Sequence, residues 1–329
     1  MSAVAPTLQA FFTDRLVRQR RVSPQTVASY RDTFRLLVRF VHDTTGKAPS
    51  TLEWDDLDAG VISAFLDHLE RERHNTARTR NLRLTAIRSL FRYAALSHPE
   101  HAAVIQRVLA IPAKRFDRRT ITYLTAEEAA ALIDAPDQAR WEGRRDRALL
   151  VLGLLTGLRV SELTGLDCAD VVLGTGAHVR CEGKGRKQRT VPLARPVQAV
   201  LRVWLTERGG TADDPLFPTR TGRRLSRDAI ARRVALHATS AAQHCPSLQA
   251  KRLHPHVLRH SCAMSLLQGK VDTSLIALWL GHADRRSTDP YIHADLTIKE
   301  RALVMTTPPC VRPGRYRPTD NVLAFLESL

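Results

Sequence analysis

The chain has 329 residues, enough for about two domains, and its 43% hydrophobic content is typical of a soluble globular protein. No apolar run approaches the roughly 18 residues of a membrane span, and the N-terminus lacks a signal pattern, so the sequence favours a cytoplasmic protein without membrane contact. The net charge of +17 points to a polyanionic partner, above all nucleic acid, because such binding draws its affinity from phosphate neutralisation.

The five cysteines are odd in number and form no CxxC pair. This pattern favours neither a zinc ribbon nor a disulfide framework. We therefore predict reduced thiols with mostly structural roles.

Residues 1–113 carry apolar residues at helical spacing and predict a helical domain. A helix begins at Ser23-Pro24, with serine as the cap and proline at the first helical position. Amphipathic segments follow at 58–69 and about 76–95. The last segment has arginines largely off its apolar side, and this basic side either faces DNA or is simply solvated; the arginines are Arg80, Arg83, Arg88 and Arg92.

Residues 114–122 interrupt the helical pattern next to a proline, and they include Lys114 and Arg115. We interpret this segment as a basic linker that can run along a DNA backbone. A second domain is predicted over 123–310, followed by a tail, 311–329, with a short amphipathic helix.

The second domain is predicted to be mainly helical, with one small β-hairpin. Thr125-Ala-Glu-Glu128 is a capping box in sequence and predicts a helix start. Residues 177–193 place β-type runs on either side of a glycine-rich turn, which predicts the hairpin. The fold class is therefore mainly α with a small β element.

Three basic motifs and a tyrosine follow one another in the second domain. They are Thr156-Gly-Leu-Arg159, His256-Val-Leu-Arg259-His260, and Leu280-Gly-His282 with Tyr291 nine residues later. Arginines can clamp phosphate oxygens, histidines can transfer protons, and a phenol can hold a covalent phosphoryl group. The set predicts a phosphodiester active site made of protein side chains, suited to DNA strand cleavage and rejoining.

The local sequence also predicts how these residues are presented. Gly157 breaks a long apolar helix, so Arg159 should begin the next short helix, with Glu162 orienting it rather than performing chemistry. His256, Arg259 and His260 should share one face of a helix that begins near Pro255. A metal site at His254, His256 and His260 is a weaker alternative, because no carboxylate or cysteine has convincing spacing.

This ordered motif set resembles the tyrosine recombinases of the phage-integrase family, of the Xer-like two-domain kind. The resemblance spans roughly residues 5–305. It implies a helical core-binding (SAM-like) domain and an α+β catalytic domain, which form a C-shaped clamp on double-stranded DNA. It further implies an integrase or recombinase, as found on mobile genetic elements, that works as a homotetramer on two DNA sites, alone or with a second recombinase.

The resemblance also implies roles for individual residues, with no ATP, metal or other cofactor. Tyr291 would form a 3'-phosphotyrosyl link, Arg159 and Arg259 would bind the phosphate, and His282 would donate to a nonbridging oxygen. Lys184, at the hairpin tip, would protonate the 5'-hydroxyl leaving group, with Arg186 and Lys187 beside it as DNA contacts. His256 would be the proton carrier next to the nucleophile, and His260 a buried packing residue.

The resemblance also favours DNA contact over simple solvation for the basic side of the 76–95 segment, so its arginines are expected to contact DNA. Pro290 departs from the family pattern, because proline restricts the residue before it and fixes backbone geometry next to Tyr291. Two other functions compete: a type IB topoisomerase, and a DNA-bending subunit whose active partner cuts.

Overall fold

The computed structural model describes residues 3–116, 121–183, 188–281 and residue 291. The chain divides into two compact units, Met1–Arg119 and Thr120–Leu329. Each unit has its own hydrophobic core. Among the residues just given, helices dominate both units and one small antiparallel sheet lies in the second, which confirms the predicted fold class.

The described residues of the first unit form five α-helices. Their bounds are α1 Val4–Ala10, α2 Pro24–Thr45, α3 Ala59–Arg71, α4 Ala77–Ala94 and α5 Ala102–Ala110, and α1 continues as a π-helical segment, Phe11–Gln19. The predicted helix starts are confirmed, because Ser23, Asp58 and Thr76 each accept a hydrogen bond from a backbone N–H in the first turn. The apolar faces of α2, α3 and α4 bury residues such as Phe34, Phe65 and Phe91 in a common core.

The arginines of α4 are only partly available to a partner. Arg80 is 5% exposed, donates to the Pro112 carbonyl, and has its Nε 3.6 Å from Glu70. The prediction that Arg80 belongs to an exposed basic side is therefore wrong, because a carboxylate from α3 and the chain after α5 enclose its guanidinium. Arg83 and Arg88 are half-buried and donate to main-chain carbonyls, whereas Arg92 is exposed.

In the second unit, the described residues form seven α-helices and three strands. Their bounds are α6 Ala126–Asp134, α7 Trp141–Thr156, α8 Val160–Gly165, β1 Val171–Val172, β2 His178–Glu182, β3 Gln188–Pro192, α9 Arg195–Arg208, α10 Arg227–Ala241, α11 Pro255–Gln268 and α12 Thr273–Leu280. The Thr125 capping box is confirmed at the start of α6. The predicted hairpin is confirmed as β2–β3, with Cys181 opposite Arg189, and the short β1 adds an unpredicted edge strand.

Helix α7 forms the centre of the second unit. Its residues from Ala148 to Leu154 are buried on all sides, and it packs against α9 and α11. The helix ends at Gly157, which has φ +65°, and a Cβ there would lie 2.6 Å from the Leu280 side chain. Glycine is required on both counts, and the turn that it makes delivers Arg159 to the start of α8.

No helix within the described ranges is long and apolar enough to cross a bilayer.

Candidate active site

Arg159 and Glu162 form a capping arrangement at the start of α8, as predicted. The Arg159 backbone N–H donates to Glu162 Oε2 at 2.7 Å, and Nη1 donates to Oε1 at 2.9 Å. Glu162 is almost fully buried, so the Arg159 side chain is held by a carboxylate on the inner side of the site.

Arg259 comes to the same corner from α11. It is 4% exposed, and its Nη1 donates to the Gly157 carbonyl at 2.7 Å. Its Nη2 donates to the Leu280 carbonyl at 2.6 Å, while Arg159 Nη2 donates to the next carbonyl, that of Gly281, at 3.0 Å. The two arginines therefore meet at the C-terminal end of α12. Burial, followed by the charge of Arg159, lowers the pKa of Arg259 to about 10, which leaves it protonated at neutral pH.

Helix α12 is capped at both ends. Asp272 accepts from the Ser274 backbone N–H, and Gly281 ends the helix in the left-handed conformation with φ +64°. His282 follows directly but lies outside the described residues, as do Lys184, Arg186 and Lys187.

Arg189 on β3 is the residue of this corner that the sequence interpretation missed. Its Nη1 and Nη2 donate to the two oxygens of Glu162, at 2.5 and 2.9 Å. The sequence does contain a signal for it: strand side chains alternate, so Arg189 shares the inner face of β3 with the buried Val191.

The carboxylate of Glu162 stays charged despite its burial. Burial alone would raise the pKa of Glu162, but hydrogen bonds from Arg189 and the Arg159 backbone, together with both guanidinium charges, outweigh it, so the pKa is lowered. Three arginines, Arg159, Arg189 and Arg259, thus surround one negative charge. The excess positive charge suits a phosphate ligand.

Tyr291 lies in a small hydrophobic cluster on the side of α11 and α12. It is 3% exposed among residues such as Met264, Ile276 and Leu280, and its hydroxyl lies 3.1 Å from His260 Nδ1. The prediction that His260 is simply a buried packing residue is wrong, because its ring is hydrogen-bonded to the Tyr291 hydroxyl. His260 lies one turn beyond His256 on α11, where the helix faces this cluster. The hydrogen bond to the tyrosine hydroxyl is thus made by the second histidine of the motif.

Both groups of this pair are held in their neutral forms. Burial raises the pKa of Tyr291, and the positive charge of Arg259 offsets the rise only in part. Burial, with the nearby His256, lowers the pKa of His260 to about 4. Burial, and then His254 and Arg259, also lowers the pKa of His256. The phenol is therefore protonated at neutral pH.

This environment predicts an acid-sensitive contribution to stability. The folded-state pKa of His260 is below its ordinary value of 6.5, so protonation favours unfolding, and stability is lost as pH falls from about 6.5 towards 4. We expect the unfolding free energy of His260→Gln to decline less steeply with falling pH over this range. The difference in slope should stay below about 1.4 kcal/mol per pH unit, because the ring is only half-buried. Urea denaturation at several pH values measures this, and identical slopes for both proteins would contradict it.

Among residues 3–116, 121–183, 188–281 and 291, no group of three or more histidine, cysteine or acidic side chains is placed to hold a metal ion.

Comparison with known proteins agrees with this geometry. Residues 122–297 match the model of the phage integrase family, and residues 10–98 match that of the phage integrase N-terminal SAM-like domain. The protein y4rC of Sinorhizobium fredii, assigned as an integrase or recombinase, is 50% identical over 100% of this chain and 99% of its own length. Tyrosine recombinase XerC of Pelobacter propionicus is 34% identical over 85% of this chain and 88% of its own length.

Solved structures share the fold. XerH site-specific recombinase bound to its palindromic difH substrate has a TM-score of 0.69 at 24% identity, covering 85% of this chain and 79% of that one. A lambda integrase tetramer bound to a Holliday junction has a TM-score of 0.63 at 18% identity, covering 88% and 77%. With these matches over both units, the chain belongs to the phage integrase family of tyrosine recombinases, enzymes that cleave and rejoin DNA at specific sites.

Proposed function

We propose that this recombinase cleaves double-stranded DNA through a 3'-phosphotyrosyl intermediate at Tyr291, without ATP or a metal ion. The observation that carries the proposal is the meeting of Arg159 and Arg259 at the end of α12, on the helix pair that also holds Tyr291. Fixed cationic donors at that corner can stabilise the charge of a pentacovalent phosphorus, the task that metal ions perform in other phosphoryl-transfer sites.

The proposed reaction has two balanced steps. The Tyr291 oxygen bonds to phosphorus while the bond to the 5'-oxygen breaks, and the electron pair of that bond leaves with the 5'-oxygen. Lys184 supplies the proton that the 5'-oxygen needs, and His256 accepts the phenol proton. A 5'-hydroxyl from the partner duplex then attacks the phosphotyrosyl phosphorus and gives its proton to Lys184. The bond from phosphorus to the Tyr291 oxygen breaks, and His256 returns its proton to the phenol, so the bond energy is conserved.

The two α11 histidines have different proposed tasks. The charges of Arg259 and Arg159 both help to lower the pKa of His256, so His256 lies near the proposed site of phosphate chemistry. His260 instead bonds the docked tyrosine hydroxyl. We assign His260 to holding the nucleophile and His256 to carrying its proton, while His282 donates to a nonbridging oxygen.

The wider architecture of the proposal follows the family. Residues 1–113 and 123–310 would act as DNA-binding and catalytic domains, joined by the linker 114–122 and followed by the tail 311–329. The exposed Arg92 and Arg115 are available for DNA contacts, Lys114 is exposed but paired with Glu70, and Arg186 and Lys187 complete the proposed set. The lambda integrase tetramer supports a tetramer on two sites, built from this chain alone or with a second recombinase.

A suicide-substrate assay tests the proposal. Duplexes selected from a randomised pool for binding to the protein would carry a nick near the centre, so that cleavage releases a short strand and traps the intermediate. We expect a covalent protein–DNA adduct in EDTA without ATP, with mass spectrometry locating the nucleotide on Tyr291. An adduct on another residue, or one that needs Mg²⁺, would contradict it. Recombinant product from paired sites, rather than relaxation alone, separates a recombinase from a topoisomerase.

A further inference from the structure

The Arg189 side chain fixes one of the two groups that orient Arg159. Both terminal nitrogens of Arg189 donate to Glu162, whose oxygens also accept from the Arg159 backbone N–H and Nη1. A planar fork on a carboxylate constrains direction as well as distance. Without Arg189, the buried carboxylate would lose the only guanidinium fork that it receives among the described residues, and its contacts to Arg159 would be less constrained.

Arg189 also packs against the second group that orients Arg159. The Gly281 carbonyl accepts from Arg159 Nη2, and a Cβ at Gly281 would lie 2.9 Å from Arg189 Nη1 and 3.0 Å from its Cδ. The arginine stem therefore forms the wall against which the end of α12 rests. Glycine at 281 permits this close approach.

The contacts of Arg189 point to a structural role within the site. Its side chain is 13% exposed, its two terminal nitrogens donate to Glu162, and its Nε is buried with no hydrogen-bond partner. The residue also sits on a paired strand, opposite Cys181, which fixes its backbone.

We propose that Arg189 is a positioning residue for Arg159, which holds Glu162 and Gly281 where both can direct the Arg159 guanidinium. This inference rests on the proposed function, in which Arg159 binds the scissile phosphate. Arg189 thus contributes through the geometry of its guanidinium group. A residue with only the positive charge, such as lysine, would not replace it.

The first test measures adduct formation at saturating DNA. We expect Arg189→Gln to slow it by up to about 100-fold, since misplacement by 1 Å costs that much, with DNA affinity unchanged. Arg189→Lys keeps the charge without the fork and should stay closer to the glutamine variant than to wild type. The matched control is Arg180→Gln, on the same hairpin, which removes an exposed arginine bonded to the Ala169 carbonyl and should behave as wild type. Full activity of Arg189→Lys would overturn the proposal.

The second test asks whether Arg189 acts through Arg159. In an Arg159→Lys background, Arg189→Gln should add no more than about a twofold loss, because residues that act as a unit are not additive. A loss as large as in the wild-type background would mean an independent role and would overturn the proposal.

A third measurement does not depend on cleavage. The Arg159 amide is bonded to Glu162, so its hydrogen exchange should accelerate in Arg189→Gln and stay unchanged in Arg180→Gln. Unchanged exchange in both variants would overturn the positioning role even if the protein forms no adduct. Conversely, failure of the wild-type protein to form an adduct at Tyr291 would reject the proposed function and leave this exchange test valid. Thermal denaturation of each variant confirms that it is folded.

Discussion

Tyr291→Phe will bind DNA with wild-type affinity and form no covalent adduct. The substitution removes only the proposed nucleophilic oxygen, and the ring keeps its place against Met264 and Leu280. Loss of the hydrogen bond to His260 should cost about 1 kcal/mol, so the fold survives. Denaturing gel electrophoresis of the suicide-substrate reaction measures the adduct, and band shifts measure affinity.

Tyr123→Phe is the matched control for that experiment. Tyr123 is partly buried against the same hydrophobic cluster and has no proposed part in the chemistry. The substitution removes a hydroxyl near the same cluster and leaves Tyr291 in place. Tyr123→Phe should therefore form the adduct at the wild-type rate. Adduct persisting in Tyr291→Phe would overturn the nucleophile assignment.

The second large effect concerns stability rather than catalysis. Asp146 on α7 is 1% exposed and accepts hydrogen bonds from Arg145, at 2.9 and 2.7 Å, and from His237 at 2.8 Å. Asp146→Ala leaves the equally buried Arg145 without its counter-charge. We expect the unfolding free energy of the second unit to fall by about 3–5 kcal/mol, the usual cost of breaking a buried pair.

Tryptophan fluorescence during urea denaturation reports mainly on this unit, because Trp141, Trp204 and Trp279 lie in it and Trp54 alone lies in the first unit. Asp134→Ala is the control: that carboxylate is 73% exposed and its pair with Arg147 spans 3.9 Å. Such a surface pair should contribute no more than about 1 kcal/mol. Equal losses from the two variants would mean that the buried network around Asp146 contributes no more than an exposed ion pair.

Sequence predicted the features that depend on a few neighbouring residues. Ser23, Thr76 and Thr125 begin helices because a side-chain oxygen reaches an N–H three residues on, and that spacing is visible in the sequence. Gly281 ends α12 for an equally local reason, since it adopts positive φ at little cost. The order of the site motifs and the hairpin were accessible in the same way.

Features decided by distant parts of the chain were not predictable from such patterns. Arg80 is buried because Glu70 and the Pro112 carbonyl come to it from other elements, which helical periodicity does not record. Arg189 donates to Glu162, which lies 27 residues away in the sequence. His260 is hydrogen-bonded to Tyr291, which lies 31 residues away. Each contact depends on tertiary packing, so residue type and spacing left its partner undetermined.

The end of α12 would, by itself, be a poor place for an anion. Peptide dipoles give the C-terminus of a helix a partial negative charge, concentrated on its last carbonyl oxygens. Here the Leu280 and Gly281 oxygens already accept from Arg259 and Arg159. In the proposed function, the two arginines would cancel this repulsion before DNA binds, and the same bonds would orient their remaining N–H groups. An incoming strand would thus meet a surface already polarised to receive it, with little solvent or side-chain rearrangement left to accomplish.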